Sequence, residues 1–184
     1  MTVVRTSKTH PLQIAQVQVA PEFGRIGITF CPGKHDLRAM TGGWQRDLAL
    51  DLDVIAAWGA QMVITLVKPA ELLLLQVPHL GLEIKHRGMA WRHLPIADHS
   101  VPSKVWEKHW EVEGQGIRAL LRSGGDVVVH CKGGLGRAGM IAARLMVELG
   151  VEPEEAIREV RLVRDGAIET HAQLELVRRI KPLR

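Results

Sequence analysis

One stretch limits the fold of this 184-residue chain more than any other: His130-Cys131-Lys132-Gly133-Gly134-Leu135-Gly136-Arg137. It follows the apolar, β-branched run Asp126-Val127-Val128-Val129 and opens Ala138 to Leu149, a run of helical character. The pattern predicts a strand, a glycine-rich loop and a helix in direct succession. The backbone N–H groups of such a loop point inward, and the following helix adds the positive end of its dipole, which together make a phosphate site. Gly133, Gly134 and Gly136 let the backbone turn tightly and approach an anion closely. Arg137 offers a planar fork matched to two phosphoryl oxygens, and Lys132 adds a second cation. The expected phosphate-binding run is therefore Lys132, Gly133, Gly134, Leu135, Gly136, Arg137 and Ala138. The same positive field favours the thiolate of Cys131 near neutral pH, which places a nucleophile inside the anion trap.

The rest of the chain alternates strand-like and helix-like segments. Leu12 to Val19 alternates apolar and polar residues, and Gly27 to Phe30 reads as a second strand closed by Pro32-Gly33. Arg46 to Trp58 has near-helical spacing, with Gly59 as a cap. Met62 to Val67 is a buried strand, followed by short helices over 69–76 and 79–87 and a strand near Ala90 to Leu94. Residues 103–122 form a long helix in which Gly114 and Gly116, each costing about 1 kcal/mol against alanine, predict a kink or break. Pro153 starts a helix that Gly166 ends, and Thr170 with Gln173 makes a capping box for the last one. Residues 1–11 read as a loose lead-in. The expectation is a single α/β domain over 1–184, with a central, mostly parallel sheet flanked by helices.

Composition excludes several classes. Hydrophobic content of 46% and charged content of 24% are ordinary for a globular chain. No window reaches the roughly 18 apolar residues of a spanning helix, and no basic-then-apolar leader opens the chain. No membrane insertion and a cytoplasmic location are therefore expected. The two cysteines, Cys31 and Cys131, are no disulfide framework, and a thiolate nucleophile suits a reducing compartment. A reversible bond between them would shield Cys131 from over-oxidation. A net charge of +4 suits acidic substrates. Nucleic acid is not expected, because no basic run is interleaved with aromatics and Tyr is absent. The histidines, among them His86, His93, His99 and His109, lack metal-ligand spacing. Nothing in the sequence specifies an oligomeric state.

Cysteine, five residues and arginine after a histidine resembles the signature of cysteine-dependent dual-specificity and tyrosine protein phosphatases. Within them the chain is most similar to the kinase-associated, cyclin-dependent kinase inhibitor 3-like branch. Phe30-Cys31-Pro32-Gly33-Lys34 resembles an early strand-end segment of that branch, Leu94-Pro95-Ile96-Ala97-Asp98 its general-acid loop, and Gly166-Ala167-Ile168-Glu169-Thr170 with Gln173 its water-positioning loop. The likeness spans about residues 28–180.

The resemblance implies a tyrosine-phosphatase-like fold and a two-step hydrolysis needing no metal or other cofactor. Cys131 is then the nucleophile, Arg137 the holder of the equatorial oxygens and Asp98 the general acid. His130 supports the loop, and Glu169 or Gln173 orients water. One position departs from the family: Ala138 stands where Ser or Thr usually supplies a hydroxyl to the leaving thiolate. The expected substrates are phosphoserine, phosphothreonine or phosphotyrosine in proteins. The alternatives are a small phosphate ester, such as a phosphoinositide or nucleotide, and a phosphate-binding module with weak turnover.

Overall fold

The computed structural model describes residues 3–40 and 42–184. Five strands form one sheet in the order β1-β2-β7-β5-β6. The four strands β2 (Arg25–Thr29), β7 (Asp126–His130), β5 (Ala60–Thr65) and β6 (Ala90–His93) run parallel. Only β1 (Ala15–Gln18), at one edge, is antiparallel. The mostly parallel α/β sheet expected from the alternating pattern is the architecture found.

β7 occupies the middle of the sheet. Val127, Val128 and Val129 are all buried, which is why the strand reads as an unbroken apolar run rather than an alternation. Its register sets Thr29 of β2 and Thr65 of β5 on either side of His130. The chain leaving β7 at Cys131 therefore emerges at the carboxyl edge of the sheet, between two other strand ends. That edge is where parallel sheets present binding loops.

Helix α5 (Gly136–Glu148) is buried along its whole length. It rests on β2 and β7 and gathers α6 (Pro153–Val163) and α7 (His171–Arg179) around it. Helix α1 (Leu48–Trp58) packs on β5, α3 (Leu80–His86) on β6 and α4 (Lys104–Arg122) on β7. The short α2 (Pro69–Leu74) follows β5 directly. The caps act as the sequence implies: Asp47 accepts from the Leu50 amide at 2.9 Å, and Gly59 closes α1 in a left-handed conformation.

Three expectations fail. α4 runs unbroken through Gly114 and Gly116. A Cβ on Gly114 would lie 2.7 Å from Arg118 Nη1 and 3.0 Å from the Trp110 ring, so the glycine makes room for this contact. Trp110 and Arg118 both bond Glu148, at 2.8 and 2.6 Å, and this tertiary anchoring outweighs the weak propensity. α6 ends at Val163, three residues before Gly166.

Nor is the lead-in loose from residue 5 onward. The Arg5 amide donates to Gly43, the Gln45 amide donates back to Arg5, and the buried Ser7 accepts from the Asp47 amide at 2.9 Å. These contacts lie beside a two-stranded ladder of β3 (His35–Asp36) and β4 (Trp44–Gln45), too short for any periodicity to reveal. Among the described residues, no helix is long and apolar enough to cross a membrane.

Candidate active site

The loop from Cys131 to Leu135 turns every one of its carbonyls outward onto a donor. His130 Nδ1 takes the Cys131 carbonyl at 3.1 Å. The Cys31 amide and the Lys34 amine take that of Lys132, at 3.1 and 3.3 Å. Arg164 reaches across with Nη2 and Nε to the carbonyls of Gly133 and Gly134, both at 3.0 Å. The Gly139 and Ile168 amides take that of Leu135. A loop whose carbonyls are consumed on its outer side directs its N–H groups into the concavity, and that is the physical requirement for an anion cradle.

The glycines differ in what they contribute. Gly134 has φ +70°, and a Cβ there would sit 2.5 Å from the Thr29 carbonyl carbon, so both conformation and space demand glycine. Gly136 faces the Glu169 and Gln173 side chains, the nearer oxygen 2.6 Å from a virtual Cβ. Gly133 meets nothing within 4 Å and carries no such constraint.

His130 is fully buried, and its tautomer follows from its neighbours. Nδ1 faces the Cys131 carbonyl and must donate. Nε2 therefore accepts, at 2.7 Å, from the Thr65 hydroxyl, whose oxygen in turn accepts from the Trp91 indole at 2.8 Å. Burial pushes the imidazole pKa down to about 4, with the nearby Arg137 guanidinium acting in the same direction. A neutral His130 fixes the carbonyl of Cys131, and through it the backbone that presents the thiol. Cys131 is itself almost wholly buried.

Arg137 lies in the first turn of α5, with its side chain 1% exposed. Glu71 on α2 grips it in a bidentate pair, both bonds 2.8 Å, and the Ile96 carbonyl accepts from Nη1 at 2.9 Å. Burial opposes the charge on both partners, yet their mutual hydrogen bonds prevail, holding Glu71 below its ordinary pKa and Arg137 above its own. Asp98 completes the constellation: its Oδ1 lies 3.2 Å from Arg137 Nη2, while its side chain remains 52% exposed. Lys132 is half-exposed and pairs with Asp36 at 3.2 Å.

Gly136 and Gln173 both sit at the site, engaged by neighbouring groups. The Gly136 amide donates to Glu169 Oε1 at 2.8 Å rather than into the cradle, because a carboxylate has taken this place at the positive end of α5. Gln173 is buried and committed. Its Oε1 accepts from the Glu169 and Thr170 amides, completing the capping box, and its Nε2 donates to the Ser100 carbonyl at 3.1 Å. It therefore ties α7 to the Asp98 loop, with Oε1 spent on two amides and one Nε2 hydrogen on the Ser100 carbonyl. Ala138 is buried in the first turn of α5, directly after Arg137.

A family model described as a polymorphic toxin system DSP-PTPase phosphatase matches residues 41–151, the span that holds Glu71, Asp98, Cys131 and Arg137. The chain belongs to this phosphatase family. Its fold agrees with a crystal structure of kinase-associated phosphatase in which the catalytic-site cysteine is replaced by serine. The TM-score is 0.78 at 25% identity, covering 91% of this chain and 92% of that one. Cyclin-dependent kinase inhibitor 3 of Sus scrofa is 31% identical over 168 residues, 88% of this chain and 73% of that protein. PRL-1 phosphatase of Drosophila melanogaster is 43% identical over 100 residues, 54% of this chain and 56% of that protein. This protein is a cysteine-based phosphatase of the tyrosine-phosphatase-like fold, most similar to the kinase-associated branch.

In this phosphatase, sequence reasoning missed Glu71, Arg164, Lys34 and Thr65. Glu71 carried one faint signal: it stands three residues after Lys68, where a glutamate reads as a helix cap, and it does accept from the Lys68 amide at 2.7 Å. Its other oxygen contacts are what matter for the site.

Proposed function

We propose that this phosphatase hydrolyses phosphoserine, phosphothreonine or phosphotyrosine in proteins through a phosphocysteine on Cys131. The Cys131 thiolate attacks phosphorus while the bond from phosphorus to the ester oxygen breaks, and the departing oxygen takes the proton of Asp98. Water then attacks the phosphocysteine, gives a proton back to Asp98, and releases phosphate and the thiolate. The loop amides and Arg137 hold the equatorial oxygens, where the transition state carries its charge. Glu71 acts as a positioning residue for Arg137, and His130 and Arg164 act in the same way for the loop.

The observation that carries this reading is the convergence of three groups. Cys131 opens the cradle, Arg137 is held rigid at its far end, and Asp98 stands 3.2 Å from that guanidinium, where a leaving oxygen would be within its reach. Protein substrates are supported by the relatives, which are phosphatases of the kinase-associated and PRL types. Residues 1–184 act as one phosphatase domain, in a reducing, cytoplasmic compartment that suits two free cysteines.

The test is turnover by the purified protein, first of an aryl phosphate and then of phosphopeptides beside phosphoinositides and nucleotides. Phosphopeptides should give the higher kcat/KM. A protein that binds phosphate but releases none from the aryl ester would be a binding module instead.

A further inference from the structure

The cations around the phosphate loop fall into two groups. Arg137 is paired with Glu71, Lys132 with Asp36, and Arg46 with Asp51. Among the described residues, Arg5, Lys34 and Arg164 have no carboxylate partner at ion-pair distance. All three line one groove of about 530 Å³. Gly133 and Leu135 of the phosphate loop line it, so the groove borders the loop that forms the cradle. Phe30 and Trp44, with ring centroids 5.1 Å apart, also line it. No Asp or Glu does so among the described residues.

The unpaired cations are held in place by other means. The Arg5 guanidinium carbon lies 4.9 Å from the Trp44 ring centroid. The Lys34 amine lies 4.6 Å from that of Phe30, and donates to the Lys132 carbonyl. Arg164 spends two donors on the loop carbonyls. Ring faces and carbonyls orient a cation but do not cancel its charge. Burial pushes the Lys34 pKa down to about 8, against the opposing pull of Cys31 and Asp36.

We propose that this groove is a specificity subsite for the acidic side chains that flank the phosphoresidue of a protein substrate. The inference rests on the reading of the cradle as the phosphate site. With the phosphoryl group in the cradle, the chain of the substrate passes over Gly133 and Leu135. An Asp or Glu beside the phosphoresidue then meets Arg5, with Lys34 and Arg164 adding to the field. The Phe30 and Trp44 rings receive the apolar part of that residue.

The test is binding to the full chain carrying Cys131→Ser, which needs no turnover. Two phosphotyrosine peptides of equal length, differing only in Asp and Glu or Ala flanks, are titrated calorimetrically. The acidic peptide should bind roughly fivefold to tenfold tighter, the range for a partly exposed charge-assisted contact. Adding Arg5→Glu should close that gap. Arg158→Glu makes the same change in net charge on α6, away from the groove, and should leave the gap open.

Equal affinities, no binding of either peptide, or a gap lost equally in both charge reversals would overturn the proposal. So would tighter, Arg5-dependent binding of an inositol polyphosphate than of the acidic peptide, since the groove would then serve a second phosphate. Aryl phosphate turnover by the natural protein reports separately on the catalytic reading, so either idea can fail alone.

Discussion

The two loops that face each other across the site are built to different degrees of constraint. The phosphate loop has its cysteine and arginine buried, each of its carbonyls from 131 to 135 is bonded, and its arginine is clamped by a carboxylate and a carbonyl. The Asp98 loop is fixed mainly on either side of its tip. Ile96 bonds the Leu66 carbonyl through its amide, the Trp106 indole holds the Leu94 carbonyl at 3.0 Å, and Gln173 holds Ser100. Between them the tip turns at Ala97 to Ser100, with His99 at φ +55° and the Asp98 carboxylate half in solvent. The division follows the chemistry. Charge stabilisation works best from groups already in place, so that no reorganisation is required during reaction. A proton donor must instead meet leaving groups of different size and then exchange with water.

The sharpest way to break that comparison is at sulfur. Cys131→Ser should abolish turnover while phosphate affinity persists, because the cradle and Arg137 remain. Steady hydrolysis by the purified variant would remove the nucleophile from the constrained loop altogether.

On the exposed side, Asp98→Asn should slow substrates with a poor leaving group by roughly 10²–10⁴, the usual contribution of a general acid. An activated aryl phosphate, whose departing oxygen needs little protonation, should lose much less. Equal losses on both would make Asp98 a partner of Arg137 rather than an acid, and the contrast between the loops would dissolve.

The constrained loop should also declare itself in stability. His130 is neutral in the folded state, with its pKa lowered from the ordinary 6.5 to about 4. Between those values the unfolded chain binds a proton that the folded chain refuses. Its contribution is therefore fully present above pH 6.5 and is lost as pH falls to about 4, a loss on the order of 3 kcal/mol. Denaturant midpoints should fall across that window in the natural protein. The fall should be smaller with His130→Gln, and identical pH profiles would show that His130 is not the titrating group.

Glu71 joins the two sides, since it grips the arginine that Asp98 also faces. Glu71→Gln should lower kcat/KM by roughly 10- to 100-fold through a misplaced guanidinium, the scale of a displacement near 1 Å. Weaker phosphate inhibition with an unchanged melting temperature would mark it as a positioning effect. A melting temperature that falls in proportion would reduce Glu71 to a structural ion pair.

What was legible in the sequence and what was not divides along similar lines. Strand, cradle and helix from Val127 to Leu149 could be read because the whole motif is local: the β-branched run, the glycines and the arginine are neighbours in the chain. The last helix was legible because Thr170 and Gln173 form a capping box within four residues. The supports of the cradle were not, because each arrives from a distant segment. Glu71 lies 66 positions from Arg137, and Arg164 lies 30 from Gly134. Nothing about a lone glutamate on a six-residue helix says which cation it will meet. The expected break at Gly114 failed for a related reason. Local propensity of about 1 kcal/mol per glycine was outweighed by Trp110 and Arg118 anchoring on Glu148, which lies on another helix.

The smallest effect concerns a group that the constrained loop lacks. Ala138 is buried directly after Arg137, at the position where the resemblance implies a hydroxyl that serves the leaving thiolate. Without it, the thiolate is less stabilised both as nucleophile and as leaving group. Formation of the phosphocysteine adds negative charge to a loop rich in donors, whereas its breakdown returns the charge to sulfur alone, so the second step should suffer more. The natural protein should then show a burst, with phosphoenzyme accumulating before steady turnover. Ala138→Ser should shrink the burst and raise the steady rate, by up to roughly 1–2 kcal/mol for one restored hydrogen bond to a charged group. Rapid-quench measurements on both forms decide the matter. No burst in the natural protein and no faster rate in the variant would mean that the loop amides alone stabilise the leaving thiolate, making the cradle more self-sufficient than its composition suggests.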